Sequence, residues 1–246
     1  MKIASELVQT VKKAKYVAVL TGAGVSAESG IATFRDPDGL WAKLNPAELA
    51  SVDGFMSNPK LVWSWYQHRR DIVHSTEPNK GHYAIAEMEK VFPEFALITQ
   101  NVDRLHQSAG SNDVVELHGN IIENHCQKCK KPFLGETTLP DGELPRCSEC
   151  GGMIRPSVVW FGENLPFEAM AKSEEIVESC DLFFSVGTSA EVYPAAALPV
   201  KAKQYGATLI EVNPNKTAIS HYADFRLEAP SGIALPILLE KLKEIE

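Results

Sequence analysis

Tyr16-Val17-Ala18-Val19-Leu20-Thr21-Gly22-Ala23-Gly24-Val25-Ser26-Ala27 decides how the rest of this chain is read. Its opening, YVAVL, is a continuous apolar run, the pattern of a strand buried on both faces. The run passes straight into Gly22-x-Gly24-x-x-Ala27, the alanine form of the fingerprint in which a strand turns sharply into a helix. Glycines there let the backbone approach a pyrophosphate, which then sits on the amino terminus of the following helix. An unmodified unit of this kind continues to a second strand ending in an acidic residue about 20 positions on. Here residues 30–39 read GIATFRDPDG, a loop. On this stretch alone the dinucleotide fold is either modified or absent.

Working outward, Ile3, Leu7, Val8 and Val11 repeat at helical spacing before the strand. Downstream, strands are expected at Phe95–Thr99, Val114–Leu117, Asp181–Val186, Ala207–Val212 and Phe225–Leu227, with an extended segment at Ser157–Gly162. Helices are expected from Asn58-Pro59 to about His74, after Pro78-Asn79, from Pro166 to about Ser179, from Pro194 to about Tyr205 and from about Ser231. Strands alternating with helices indicate a Rossmann-like α/β fold, a parallel sheet wound on both faces. Small polar clusters follow four of the strands: Gly22–Ser26, Gln100–Asp103, Gly187–Ser189 and Asn213–Asn215. In such sheets ligands bind beyond the carboxyl ends of the strands. Their convergence turns a weak glycine signal into a dinucleotide hypothesis.

The length of 246 residues and a net charge of −8 fit a globular protein and argue against sequence-independent nucleic-acid binding through a basic surface. No apolar run approaches the ~18 residues of a membrane span. The opening MKIAS leads into an amphipathic pattern without a signal-peptide core, so a cytoplasmic protein is expected.

Four of the five cysteines form two pairs, Cys126-x-x-Cys129 and Cys147-x-x-Cys150. This is four-thiolate zinc spacing, against the alternative of two redox motifs. Four cysteine ligands leave no open coordination position, so the zinc would be structural rather than hydrolytic. The prolines and small apolar content of residues 121–155 make them a metal-stabilised insert, giving a discontinuous main domain of residues 1–120 and 156–246. Cys180, isolated before a strand, reads as a small buried apolar residue.

On the helix that opens at Asn58-Pro59, the apolar stripe of Val62, Trp65, Ile72 and Val73 also takes in Tyr66 and places Arg69 near its centre. An inward arginine needs an anion, from the protein or from a ligand, or must reach out to solvent. Residues 99–119, TQNVDRLHQSAGSNDVVELHG, hold a further dense polar set between two apolar runs. Here Asn101 and Asp103 could grip a polar ligand and His118 could move a proton.

Taken together, GAGVSAESG (22–30), TFR (33–35), TQNVDRLHQSAG (99–110), ELHG (116–119), the four cysteines, RPSVVWFGE (155–163), GTS (187–189) and Asn213 resemble the sirtuins, NAD-dependent protein-lysine deacylases, along essentially the whole chain. The resemblance implies NAD and zinc as cofactors and acyl-lysine proteins or peptides as partners. It places NAD between the large domain and the zinc-bearing one. Gly22, Ala23, Gly24 and Ser26 would line the phosphates. Thr33, Phe34, Arg35 and Trp41 fall in the cofactor loop, with Phe34 shielding the reactive ribose carbon from water. Gln100 would hold ribose hydroxyls, Asn101 and Asp103 would form the nicotinamide pocket, with Asn101 catalytic beside His118, and Val102 would also touch the cofactor. Gly187, Thr188, Ser189, Asn213 and Ser231 would meet the adenosine half, and Pro214 and Asn215 would also touch the cofactor.

Val159, Trp160, Phe161, Gly162 and Glu163 resemble the segment that pairs with the substrate backbone. His118 matches the general base, deprotonating a ribose hydroxyl, while His106 falls back to a structural histidine. Two positions depart from the commonest pattern, Ala32 and Thr33. Thr33 with Tyr66-x-x-Arg69 resembles the branch that removes succinyl and malonyl groups, where Tyr and Arg bind the distal carboxylate. The expected products are nicotinamide, free lysine and O-acyl-ADP-ribose. The rivals are an ADP-ribosyltransferase or NAD glycohydrolase on the same fold, and an NAD-sensing interaction module.

Overall fold

The structure is a computed structural model describing residues 1–33, 45–137 and 143–244. Its chain divides into two compact units, Met1–Thr33 with Thr76–Leu117 and Pro166–Glu246, and Phe34–Ser75 with His118–Leu165.

In the first unit, α1 (Ser5–Lys13) leads into β1 (Tyr16–Thr21), whose last five residues are all buried. The glycine turn then opens the five-residue α2 (Ala23–Ala27). The described elements that follow α2 belong to the second unit: α3 (Pro46–Leu49), α4 (Val52–Ser57) and α5 (Pro59–His74). The first unit resumes with α6 (Lys80–Val91), β2 (Glu94–Thr99), α7 (Leu105–Ser108) and β3 (Val115–Glu116). The second then adds β4 (Gly119–Cys126), β5 (Pro132–Phe133) and β6 (Ile154–Val158). Back in the first come α8 (Phe167–Ser179), β7 (Leu182–Val186), a 3-10 turn at Ala195–Ala197, α9 (Leu198–Gln204), β8 (Thr208–Val212), β9 (Phe225–Leu227) and α10 (Ser231–Lys243).

The six strands of the first unit are all parallel, in the order β3-β2-β1-β7-β8-β9. Counting only this sheet's strands the order is 3-2-1-4-5-6, that of the dinucleotide-binding Rossmann fold. The fold is therefore present, and modified where residues 34–75 leave for the second unit before β2. Val17, Val19, Leu182, Phe184, Val186, Ile210 and Val212 share one core with α1, α6 and α10. Their neighbours Ala18, Leu20, Phe183 and Leu209 alternate to the opposite face and are equally buried, so both faces of the sheet are covered.

The second unit is larger than the 121–155 insert expected from sequence. Its antiparallel sheet, β5-β4-β6, is packed by α5. Trp63 Nε1 donates to Ile154 O at 2.9 Å and Arg70 Nε to Ile121 O at 2.6 Å. Ser51 pairs with Phe161 in an isolated parallel bridge. These contacts join stretches some 50 to 110 residues apart, which local patterning does not report. Val114–Leu117 contracts to two strand residues, and Ser157–Gly162 leaves the strand after Val158. No helix among the described residues is long and apolar enough to cross a membrane.

Candidate functional site

The switch point of the Rossmann sheet lies between β1 and β7, and here the turns after the two strands approach closely. Gly22 N–H donates to Val186 O at 3.0 Å and Gly24 N–H to Gly187 O at 2.8 Å. A Cβ on Gly24 would come within 2.7 Å of Gly187 O, and one on Gly187, whose φ is +60°, within 2.6 Å of Val25 N. Glycine at these positions is a condition of the two turns meeting.

Around this turn the expected polar residues form two hydrogen-bonded groups, one on Ser26 and one on Thr188. Ser26 Oγ donates to Asp103 Oδ2 at 2.7 Å and accepts from Asn101 Nδ2 at 3.1 Å. Asp103 Oδ1 accepts from Leu105 N–H at 2.9 Å. Gln100 Nε2 reaches Thr188 Oγ1 at 3.0 Å, and Asn213 Nδ2 donates to Thr188 O at 3.1 Å. Ser189, Pro214 and Asn215 belong to the turns after β7 and β8, with Asn215 N–H donating to Asn213 Oδ1 at 3.1 Å. Val102 flanks the cluster between Asn101 and Asp103. Ser231 lies apart from it, donating to Glu28 Oε1 at 3.1 Å. Thr33 is half-buried at the end of the described stretch; Phe34, Arg35 and Trp41 lie outside the described residues.

Two buried histidines, His82 and His106, support the Ser26 group. His82 Nδ1 accepts from Asn79 N–H at 3.2 Å, which leaves the proton of the neutral ring on Nε2, 3.4 Å from Ser26 Oγ. Burial holds its pKa down at about 4, so the ring is neutral. The result is a directed chain, His82 to Ser26 to Asp103. His106, at about 3 through burial and the neighbouring His82, works the same way. Thr21 gives its proton to Thr99 Oγ1 at 2.8 Å, so His106 Nε2, 2.9 Å from Thr21 Oγ1, is the donor. Thr99 Oγ1 in turn accepts Asn101 N–H at 3.0 Å. His106 is thus structural, as expected, and it braces the Asn101 backbone. His82 was missed; its signal was Pro78-Asn79-x-x-His82, a capping pattern with histidine as the third helical residue.

In the second unit, the four cysteine sulfurs lie within 4.8 Å of one another. Cys126 and Cys150 Sγ are 3.5 Å apart, and Cys129 and Cys147 Sγ 3.7 Å. Sulfurs about 2.3 Å from a tetrahedral zinc sit about 3.8 Å apart, so the set fits that ion. The residue after each knuckle is left-handed, Lys130 at φ +60° and Gly151 at +69°. A Cβ on Gly152 would meet Cys126 Sγ at 2.8 Å. Cys180 is buried in the other unit, its thiol pushed up to about 12 by burial, and fits the apolar role expected.

Tyr66, Arg69 and Arg70 are all buried on α5. Arg70 is held by Ile121 O and Asn124 Oδ1, so protein partners account for it. The Arg69 guanidinium lies 5.3 Å from the Trp65 ring. His118 O accepts Val159 N–H at 2.9 Å, and Phe161 N–H donates to Ala50 O at 2.9 Å. Two side chains of the expected substrate segment turn inward. Trp160 is buried, and Glu163 forms a bidentate pair with Arg155, at 2.7 and 2.9 Å. Burial works to raise the Glu163 carboxyl, but the Arg155 hydrogen bonds outweigh it and hold it below the usual range. Phe161 is half-exposed and Gly162 is left-handed at φ +86°. With the N–H groups of Val159, Trp160 and Phe161 all satisfied internally, any backbone pairing there falls to other groups of the segment.

A 3-2-1-4-5-6 parallel sheet, with a glycine turn and polar clusters at its switch point, defines a dinucleotide-binding protein, here one that also carries a four-thiolate zinc site. Residues 22–194 match the Sir2 family, and the chain belongs to that family. An NAD-dependent protein deacylase of Aquifex aeolicus (strain VF5) is 49% identical over 229 residues, 93% of this chain and 95% of that one. A solved Sir2 homolog–NAD complex superposes with a TM-score of 0.91 at 43% identity, covering 98% of this chain and 94% of that one. A Sir2–p53 peptide–NAD+ complex superposes at 0.84 with 31% identity, covering 98% of both chains.

Proposed function

We propose that the chain is a cytoplasmic NAD-dependent protein-lysine deacylase that removes acetyl groups and the acidic succinyl and malonyl groups. The observation that carries the reading is the Ser26–Asn101–Asp103 cluster at the carboxyl ends of β1 and β2, in a chain 49% identical to an NAD-dependent protein deacylase. Bound NAD supplies an ADP-ribosyl carbon that becomes electrophilic as nicotinamide departs, which a weakly nucleophilic acyl-lysine oxygen needs.

The chain's own residues then divide the work. Asn101 and Asp103, pre-set by Ser26, hold the leaving nicotinamide, and Gln100 holds ribose hydroxyls. Gly22, Ala23 and Gly24 cradle phosphates, while Thr188 and Asn213, tied together, take the adenosine side with Gly187, Ser189 and Ser231. His118 removes a proton from a ribose hydroxyl, so that its oxygen can attack the acyl carbon. Val159–Glu163 meets the peptide, chiefly through Phe161 and the backbone. The four thiolates hold structural zinc. Two features support the acidic acyl groups: Tyr66 and Arg69 lie one turn apart on α5, both withdrawn from water, and Thr33 stands in the cofactor loop.

Steady-state kinetics on matched succinyl- and acetyl-lysine peptides test the reading. Arg69→Met should lower kcat/KM for the succinyl peptide by about tenfold or more, the scale of a lost charge-assisted hydrogen bond, and spare the acetyl peptide relatively. An unchanged succinyl rate would remove the carboxylate clamp. NAD breakdown without peptide deacylation would favour the glycohydrolase alternative.

A further inference from the structure

The Tyr66 hydroxyl is fixed by a neighbour that can only donate to it. Trp160 is 2% exposed, and its indole Nε1–H donates to Tyr66 Oη at 2.7 Å. The indole is itself held from several sides. Phe55 packs at 5.2 Å between ring centroids, and the Arg155 guanidinium carbon lies 3.2 Å from the Trp160 ring centroid. Arg155 is immobilised in turn by both Glu163 oxygens, by Gln127 Oε1 at 3.0 Å and by Val158 O at 2.5 Å. Glu163 Oε2 also accepts the Trp160 backbone N–H at 2.9 Å.

A phenol has one proton to give and lone pairs to accept with, whereas indole has a proton and no acceptor. Trp160 therefore occupies a lone pair of Tyr66 and cannot take its proton. Among the described residues Tyr66 meets no acceptor for that proton. Burial pushes the Tyr66 pKa up to about 12, so the proton is present at neutral pH. An unanswered buried donor is costly, and a carboxylate is the acceptor that relieves it best.

We propose that Trp160 is a specificity-determining positioning residue: by donating to Tyr66 it reserves the tyrosine proton for the carboxylate of an acidic acyl-lysine. This rests on the assignment of Tyr66 and Arg69 to the acyl carboxylate. It also explains why a residue in the expected substrate segment is buried, since Trp160 acts through Tyr66 instead of touching the peptide. Arg155 and Glu163 hold the indole in place.

Trp160→Phe keeps a ring against Arg155 and Phe55 and removes the N–H. The ratio of succinyl to acetyl kcat/KM should fall about fivefold, the scale of one lost hydrogen bond. In a Tyr66→Phe background the same change should leave the ratio where Tyr66→Phe put it, since the two residues act as one unit. A parallel loss on both peptides, or a full ratio effect surviving in the Tyr66→Phe background, overturns the proposal. If Tyr66→Phe alone leaves the wild-type ratio unaltered, the carboxylate clamp falls, and the proposal falls with it. A second measurement needs no Trp160 variant to fold. The resonance Raman doublet of Tyr66, isolated as wild type minus Tyr66→Phe, should report an acceptor-only phenol. It should shift toward a donor on adding succinyl peptide but not acetyl peptide. A phenol that already donates in the free protein contradicts the proposal.

Discussion

Ser26 shows how much a single hydroxyl can organise. It gives its proton to Asp103 and takes hydrogen bonds from Asn101 and His82, so one residue of the glycine turn sets two of the polar groups after β2. Asp103→Asn removes the charged acceptor of this set and should lower kcat/KM for NAD by about tenfold to a hundredfold. Initial-rate kinetics at saturating peptide would show it. The two buried histidines make a pH prediction. Their folded pKa values of about 4 and 3 lie below the ordinary 6.5, so the unfolded chain binds protons first as pH falls. Stability from this source is intact above about pH 6.5 and declines between about pH 6.5 and pH 3. Calorimetry should show the midpoint falling across that window, with a shallower slope in His106→Gln. Sequence alone named Ser26, Asn101 and Asp103 through family motifs. It could not reveal the contact of His82 with Ser26 or the inward turn of Trp160 onto Tyr66, because each depends on a partner distant in the chain.

At the scale of elements, the strands were the most legible part. Runs such as YVAVL, LFFSV and TLIEV are apolar throughout because both sheet faces are covered. The helices announced themselves through Asn58-Pro59 and Asn79, whose side chains cap α5 and α6. The short helices α3 and α4 are capped as well, by Asn45 and Ser51, but at four and six residues they are too short to show a helical period. Two element-level predictions follow from contact geometry. Asn79→Ala removes the α6 cap together with hydrogen bonds to Val25 O and Ser29 Oγ. It should cost about 1–2 kcal/mol, read as a drop of a few degrees in Tm. Gly24→Ala forces a Cβ against the backbone of Gly187, 2.7 Å from its oxygen. With backbone on both sides the turns must part, and a loss of about 1–3 kcal/mol is expected from chemical denaturation.

For the whole molecule, the sequence made the Rossmann order readable only as a class, an alternating α/β pattern; the 3-2-1-4-5-6 arrangement emerges from pairing. The second unit was underestimated. Only its cysteines carry a local signal, whereas residues 45–75 join it through Trp63, Arg70 and the Ser51–Phe161 bridge. Metal should matter most to this unit. One zinc per chain is expected by elemental analysis. Chelation should raise amide exchange across 118–165 while the buried strands β1, β7 and β8 stay protected. Acyl transfer from lysine to the ADP-ribose of NAD, the reaction proposed for this chain, is read out by mass spectrometry of the products from NAD and a succinyl- or acetyl-lysine peptide. O-acyl-ADP-ribose, nicotinamide and free lysine should form in equal amounts, and should be lost in His118→Ala. Free ADP-ribose with the acyl-lysine untouched would contradict it.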